Sequence, residues 1–188
     1  MSYVLNNYND TYMGSIILEE AQETSVLNII EESNKTEDMI ISQEKGPNRL
    51  IAEIQLQDAD RENRNKRWYA ISDLRKEIYG DRVTELVKAK SFKGEAGHPL
   101  SDSVVRQQTI DPKLVCINHI KVWIDKDTVK AHTKGTNNSY GKEFDDDLRS
   151  GESPAVSLRA LGSIENVDGK PYVKHLRIIT YDKIKSVA

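Results

Sequence analysis

From Met1 to Asn48 the chain shows no sustained apolar period: short clusters at "GSIILEE" and "SVLNIIEE" stand in a background rich in Asn, Glu and Ser. Such a stretch is expected to be a mobile or weakly helical arm, flexible, acidic and polar. At "RLIAEIQLQ" the pattern changes. Leu50, Ala52, Ile54 and Leu56 alternate with Ile51, Glu53 and Gln55, the two-residue period of a half-buried strand. The folded domain is therefore expected over residues 49–188.

Beyond the polar run "DADRENRNKR", Ile71, Leu74 and Ile78 recur at helical spacing and Gly80 is placed to stop the helix. "DRVTELVKAK" predicts a second helix, capped by Asp81 and packed through Val83, Leu86 and Val87. The glycines and proline of "KGEAGHPLSD" break the pattern and put His98 on a loop or at a strand end. "KLVCINHIKVWID" and "TVKAHT" read as strands joined at "DKD". "GKEFDDDLRSG" spaces Phe144 and Leu148 for a helix that Gly151 ends, its "DDD" forming a solvated face. "PAVSLRALGSIEN" and "PYVKHLRIITYD" are strands across a turn at Asp168 and Gly169. This order predicts an α+β domain, a mixed or antiparallel, barrel-like sheet surrounded by helices.

Composition narrows the classes. With 188 residues, 37% apolar and 30% charged, the chain suits one soluble domain, and it has no apolar run near the roughly 20 residues a bilayer requires. The start "MSYVLNNYND" lacks the basic and apolar regions of a secretory signal, and the single Cys116 cannot form an internal disulfide, so a reducing, cytosolic setting is expected. A net charge of -3 supplies no overall basic footprint for nucleic acid. Only "RENRNKRWY" departs from this, with Arg61, Arg64, Lys66 and Arg67 beside Trp68 and Tyr69.

The chemistry worth weighing lies in "ESPAVSLRALG". Ser157 sits in a strand that reads as buried, and Arg159, two residues on, emerges from the same face. A serine nucleophile needs a base, a group to orient that base, and donors for the developing oxyanion. Of His98, His119, His132 and His175, only His98 stands in a loop framed by Gly and Pro. The blander readings are a strand hydroxyl bonded to backbone, a surface turn histidine and a solvated edge arginine. His98 with Asp102, or His119 with His132, matches no zinc spacing, and Cys116 has no cysteine partner, so neither metal nor other cofactor is expected.

Three stretches, in order, carry a resemblance: "DADRENRNKRWY", "GEAGHP" and "AVSLRALG". Together they resemble the signatures of the prohead core proteases of T4-like tailed phages, serine proteases of capsid maturation whose fold resembles that of the herpesvirus assembly proteases. The likeness runs from about residue 50 to the carboxyl end and includes "NHIKVW" and "LRIITYD". It implies Ser157 as nucleophile, His98 as general base and Arg159 in the position that serves the oxyanion. Asp182, in "IITYDKI", is the choice to orient His98, with His119 and His175 as rivals. It further implies cleavage after glutamate through an acyl-enzyme, scaffold, core and capsid proteins as substrates, a place inside the prohead in the host cytoplasm, and room for a homo-oligomer. Neither nucleic acid nor a membrane is an expected partner. Self-processing sites offered by the arm are Leu18, Glu19 and Glu20, and Ile29, Ile30 and Glu31. The chain departs from the pattern in carrying Leu158 where a second serine is common, and a short further segment is expected beyond Ala188. The rival class is a non-enzymatic capsid or tail assembly protein of the same fold.

Overall fold

A computed structural model describes residues 3–6, 15–18, 26–31 and 50–184. In chain order the elements are β1 (Tyr3–Asn6), β2 (Ser15–Leu18), β3 (Val26–Glu31), β4 (Leu50–Asp58), α1 (Ile71–Ile78), α2 (Asp81–Lys88) and β5 (Lys93–Glu95). There follow α3 (Val104–Gln108), β6 (Val115–Asp125), β7 (Thr128–Gly135), α4 (Ser139–Arg149), β8 (Ala155–Val167) and β9 (Lys170–Ile184). The strands form two antiparallel sheets, one ordered β1-β2-β8-β9 and the other β3-β4-β7-β6-β5.

An α+β domain thus forms, but the described strands do not close into a barrel. The sheets approach where β5 meets β9, through one bridge between Ala96 and Lys183. Gly97 N donates to Lys183 O at 2.6 Å, and at Gly97 the backbone turns to a φ of +89°, taking the chain out of the sheet after that single bridge. A longer run of pairing there would have been needed for closure.

The described parts of the expected arm are strands, not weak helix. β2 pairs with β8, setting Ile17 opposite Ala160 and Leu18 opposite Arg159, while β3 pairs with β4. Ile17 and Leu18 are fully buried. Ile17 finds Ala160 and Ile30 finds Ile51, partners that a reading of local period cannot anticipate.

Between the sheets lies one main core. Ile54, Leu56, Val129 and Ala131 of the second sheet join Val156, Leu158, Ala160 and Tyr181 of the first. Leu74 and Ile78 from α1, and Phe144 and Leu148 from α4, close its flanks at their expected spacing. Details of three helices differ from expectation. Gly80, not Asp81, is the N-cap of α2. α3 has no clear apolar period and was not anticipated; Ser103 Oγ caps it by accepting from Arg106 N at 3.4 Å. In α4, Asn138 is the cap and Asp145 is buried beside Phe144, so only part of "DDD" is a solvated face. Among the described residues, no helix is long and apolar enough to cross a membrane.

Candidate active site

β8 is buried continuously from Ala155 to Gly162 because both its faces are covered. Alternation then sorts its side chains: Leu158 enters the main core, while Ser157 and Arg159 share the opposite face. The ladder sets Ser157 directly opposite Asp182 of β9, so hydroxyl and carboxylate stand side by side on that face.

His98 reaches them from the loop after β5. Any side chain on Gly94 would place its Cβ 2.2 Å from Tyr181 O, so glycine is what lets β5 lie this close to β9. Past the left-handed turn at Gly97, the loop is tied down by buried Gln107, whose Nε2 donates to Pro99 O at 2.8 Å and to Ser101 O at 2.6 Å. The two glycines of "GEAGHP" therefore serve a close approach and a turn, and both position the imidazole.

Ser157, His98 and Asp182 are brought together in series. His98 Nδ1 lies 2.8 Å from Asp182 Oδ2 and His98 Nε2 lies 3.0 Å from Ser157 Oγ. A carboxylate only accepts, so Nδ1–H is the donor to Asp182 and Nε2 accepts from the Ser157 hydroxyl. Ser157 is 2% exposed and the His98 side chain 13%.

Arg159, on the same face of β8 as Ser157, is held by a set of buried contacts. It is fully buried, and its Nη1 donates to Gln107 O at 3.0 Å and Thr109 O at 3.1 Å. Nη2 donates to Glu95 Oε2 at 2.8 Å and Asp182 Oδ1 at 3.1 Å, while Nε stands 2.9 Å from Asp182 Oδ2 without hydrogen-bond alignment. Both terminal nitrogens of the guanidinium are thus engaged by backbone and carboxylate oxygens. Burial explains these contacts: a charge taken out of water must be met by carboxylates and carbonyls, and those present are Asp182, Glu95 and the end of α3.

Two further charged residues belong to this group and were not singled out from the sequence. Glu95, fully buried inside "GEAGHP", donates its own backbone N–H to Asp182 Oδ1 at 2.9 Å. Arg106 of α3 grips the Glu95 carboxylate with both terminal nitrogens, Nη1 to Oε2 at 3.1 Å and Nη2 to Oε1. The hydrogen bond to that carboxylate, with the negative charges of Glu95, Asp111 and Asp182 behind it, holds the Arg106 proton more firmly than usual. The only available sequence signal was a glutamate in a strand whose neighbours are small.

The rival histidines lie elsewhere. His119 is fully buried between Phe92 and Tyr181; its Nε2–H donates to Tyr181 O at 3.0 Å and its Nδ1 accepts from Thr133 Oγ1 at 2.7 Å. Burial lowers its pKa to about 4, so it is neutral. His175 is exposed, with a φ of +52°, and stands 3.8 Å from Glu165. Cys116 is buried, and that burial pushes its thiol up to about 12, which suits packing and not reaction.

The basic stretch is a clasp on the β8–β9 hairpin. Trp68 N donates to Pro171 O at 2.9 Å, Val173 N donates to Trp68 O at 2.9 Å, and Lys170 Nζ lies 4.3 Å over the Trp68 ring. Arg61 pairs with Asp58 and Lys66 with Glu62. A groove of about 610 Å³ lined by residues including Asp73, Glu77, Arg82 and Lys174 lies apart from Ser157; Asp73 pairs with Lys174 and Glu77 with Arg82 across it. Among the described residues no cluster of His, Cys, Asp or Glu is arranged to hold a metal.

A hydroxyl, an imidazole and a carboxylate in series can strip a proton from oxygen and pass it on. Comparisons with known proteins give a family and a similar fold. The sequence matches the Peptidase S80 family over residues 29–186. The solved structure of the bacteriophage T4 capsid assembly protease, gp21, is similar in fold, with a TM-score of 0.73 at 22% identity over 90% of this chain and 97% of that chain. No curated protein matches the chain.

Proposed function

The chain belongs to the Peptidase S80 family, and from that premise we propose that it is a serine endopeptidase of phage capsid maturation, with Ser157 as nucleophile, His98 as general base and acid, and Asp182 as the group that orients the imidazole. The observation that carries this reading is the position of His98, its two ring nitrogens within hydrogen-bond reach of Ser157 Oγ and Asp182 Oδ2.

The reaction runs through an acyl-enzyme. His98 Nε2 takes the Ser157 proton as Oγ attacks the peptide carbonyl, and the imidazolium so formed is held by Asp182. The same proton passes to the leaving amine, the C–N bond breaks, and an ester remains on Ser157. Water then gives its proton to His98 and attacks the ester, and return of the proton to Oγ frees the enzyme.

The substrates in this reading are scaffold, core and capsid proteins cut after glutamate inside the prohead, supported by the likeness of fold to a capsid assembly protease. The chain is also its own substrate. Of the two candidate triplets, Glu19 and Glu20 lie outside the described residues, whereas Ile30 and Glu31 are paired with Ile51 and Leu50. Cleavage after Glu31 thus requires β3 to peel from β4, since a protease binds its substrate as an extended strand free of other partners.

A fluorophosphonate probe and a glutamyl peptide test the assignment. Ser157 should be the labelled residue, and Ser157→Ala should lose both labelling and cleavage while keeping the far-ultraviolet circular dichroism of the parent. Cleavage persisting in a clean Ser157→Ala preparation rejects the nucleophile.

A further inference from the structure

Asp182 does not meet its counter-charge alone. Arg159 Nη2 is divided between Asp182 Oδ1 at 3.1 Å and Glu95 Oε2 at 2.8 Å, and all three side chains are fully buried. Two carboxylates would then compete for one guanidinium in a medium that screens poorly. Arg106 resolves the competition. Its paired contact with Glu95 brings the group to two cations for two anions, and its side chain, 25% exposed, is the outer end of a charged row that runs Arg106, Glu95, Arg159, Asp182, His98, Ser157.

We propose that Arg106 and Glu95 are positioning residues for the hydrolysis: by saturating the Glu95 carboxylate, Arg106 leaves Arg159 free to hold Asp182 against His98. The inference rests on the proposed roles of Ser157, His98 and Asp182. Neither residue touches the reacting atoms. Without Arg106, the full Glu95 charge draws the Arg159 guanidinium away from Asp182, and an uncompensated negative charge is left beside the imidazole. Arg106 Nη1 also donates to Thr109 O at 3.1 Å, the carbonyl that accepts from Arg159 Nη1, so α3 and the site carboxylates are joined by two routes. A displacement of about 1 Å in a group that aligns the base is enough to cost on the order of a hundredfold in rate.

The charge count supplies a test that a merely structural role fails. On a glutamyl peptide, Arg106→Gln should lower kcat on the order of tenfold or more, with KM held within about twofold, because alignment is lost and not binding. Arg106→Lys, which keeps the charge but not the two-pronged grip, should fall between parent and Arg106→Gln. The double variant Glu95→Gln with Arg106→Gln removes one charge of each sign and leaves the Glu95 backbone N–H on Asp182, so it should be more active than Arg106→Gln alone. Urea unfolding of each variant shows which are folded at assay temperature; the comparison between double and single variant stands whichever is the less stable. An active parent whose Arg106→Gln turns over at the parental rate, or whose double variant is no better than the single, overturns the inference alone. A parent inert to both peptide and fluorophosphonate overturns the proposed function and the inference with it.

Discussion

A buried neutral imidazole shows how a single residue links this fold to pH. Burial lowers the His119 pKa to about 4 from an ordinary 6.5, because desolvation disfavours the cation. Between those values the unfolded chain binds a proton that the folded chain does not. Its contribution is therefore fully present above pH 6.5 and is lost as pH falls towards 4, a change of about 3 kcal/mol. Urea midpoints measured across that range should decline with acidity by the uptake of one proton from this site. In His119→Gln that part of the decline should vanish, and a variant with the parental slope would show that another group titrates there. The same residue-scale logic separates the histidines. His119 has both nitrogens satisfied by Thr133 and Tyr181 O, whereas His98 is held between a hydroxyl and a carboxylate.

At the scale of elements, the segment from β5 to α3 determines the geometry of the site. β5 is three residues long, yet it contributes Glu95, carries the chain to His98 and lies against β9. Gly94→Ala would put a methyl group 2.2 Å from Tyr181 O, and backbone on both sides must move. Overpacking of this kind costs about 1–3 kcal/mol. The displaced strand would also carry the Glu95 N–H away from Asp182 and His98 away from Ser157. Peptide hydrolysis is thus expected to fall on the order of a hundredfold while most of the protein remains folded at 25 °C. Kinetics alongside a melting curve checks this, and a variant that is destabilised but fully active would show that β5 does not position the imidazole.

For the whole molecule, the amino-terminal strands are covers for sheet edges. β2 lies along β8 from Arg159 to Gly162, two residues from Ser157 at its nearest, and β3 lies along β4 from Leu50 to Ile54. Deleting residues 1–48 would strip both edges of their partners. Unpaired strand edges with buried apolar neighbours recruit other chains. The truncated protein is expected to self-associate in size-exclusion chromatography with light scattering, under conditions where the full chain has a smaller mass. Unchanged mass after deletion would mean that the edges are protected without β2 and β3. Self-association of the truncated protein would give the removal of part of the arm in the proposed maturation a structural consequence beyond shortening the chain.

The sequence by itself determined the alternating strands β4, β8 and β9, the apolar stripes of α1 and α4, and the stretches in which Ser157, His98 and Asp182 stand. Those features follow from local period and turn chemistry, which a chain displays in its order of residues. Only the tertiary structure decided that Asp182, and not His119 or His175, stands against the His98 imidazole, because that depends on the register between β8 and β9. It likewise set Arg159 between Asp182 and Glu95, drew Arg106 into the same charged row, and made strands of the described parts of the arm. Each of these arises from burial: a charge or a strand edge taken out of water must be matched by whatever the fold brings beside it, and that partner is remote in sequence.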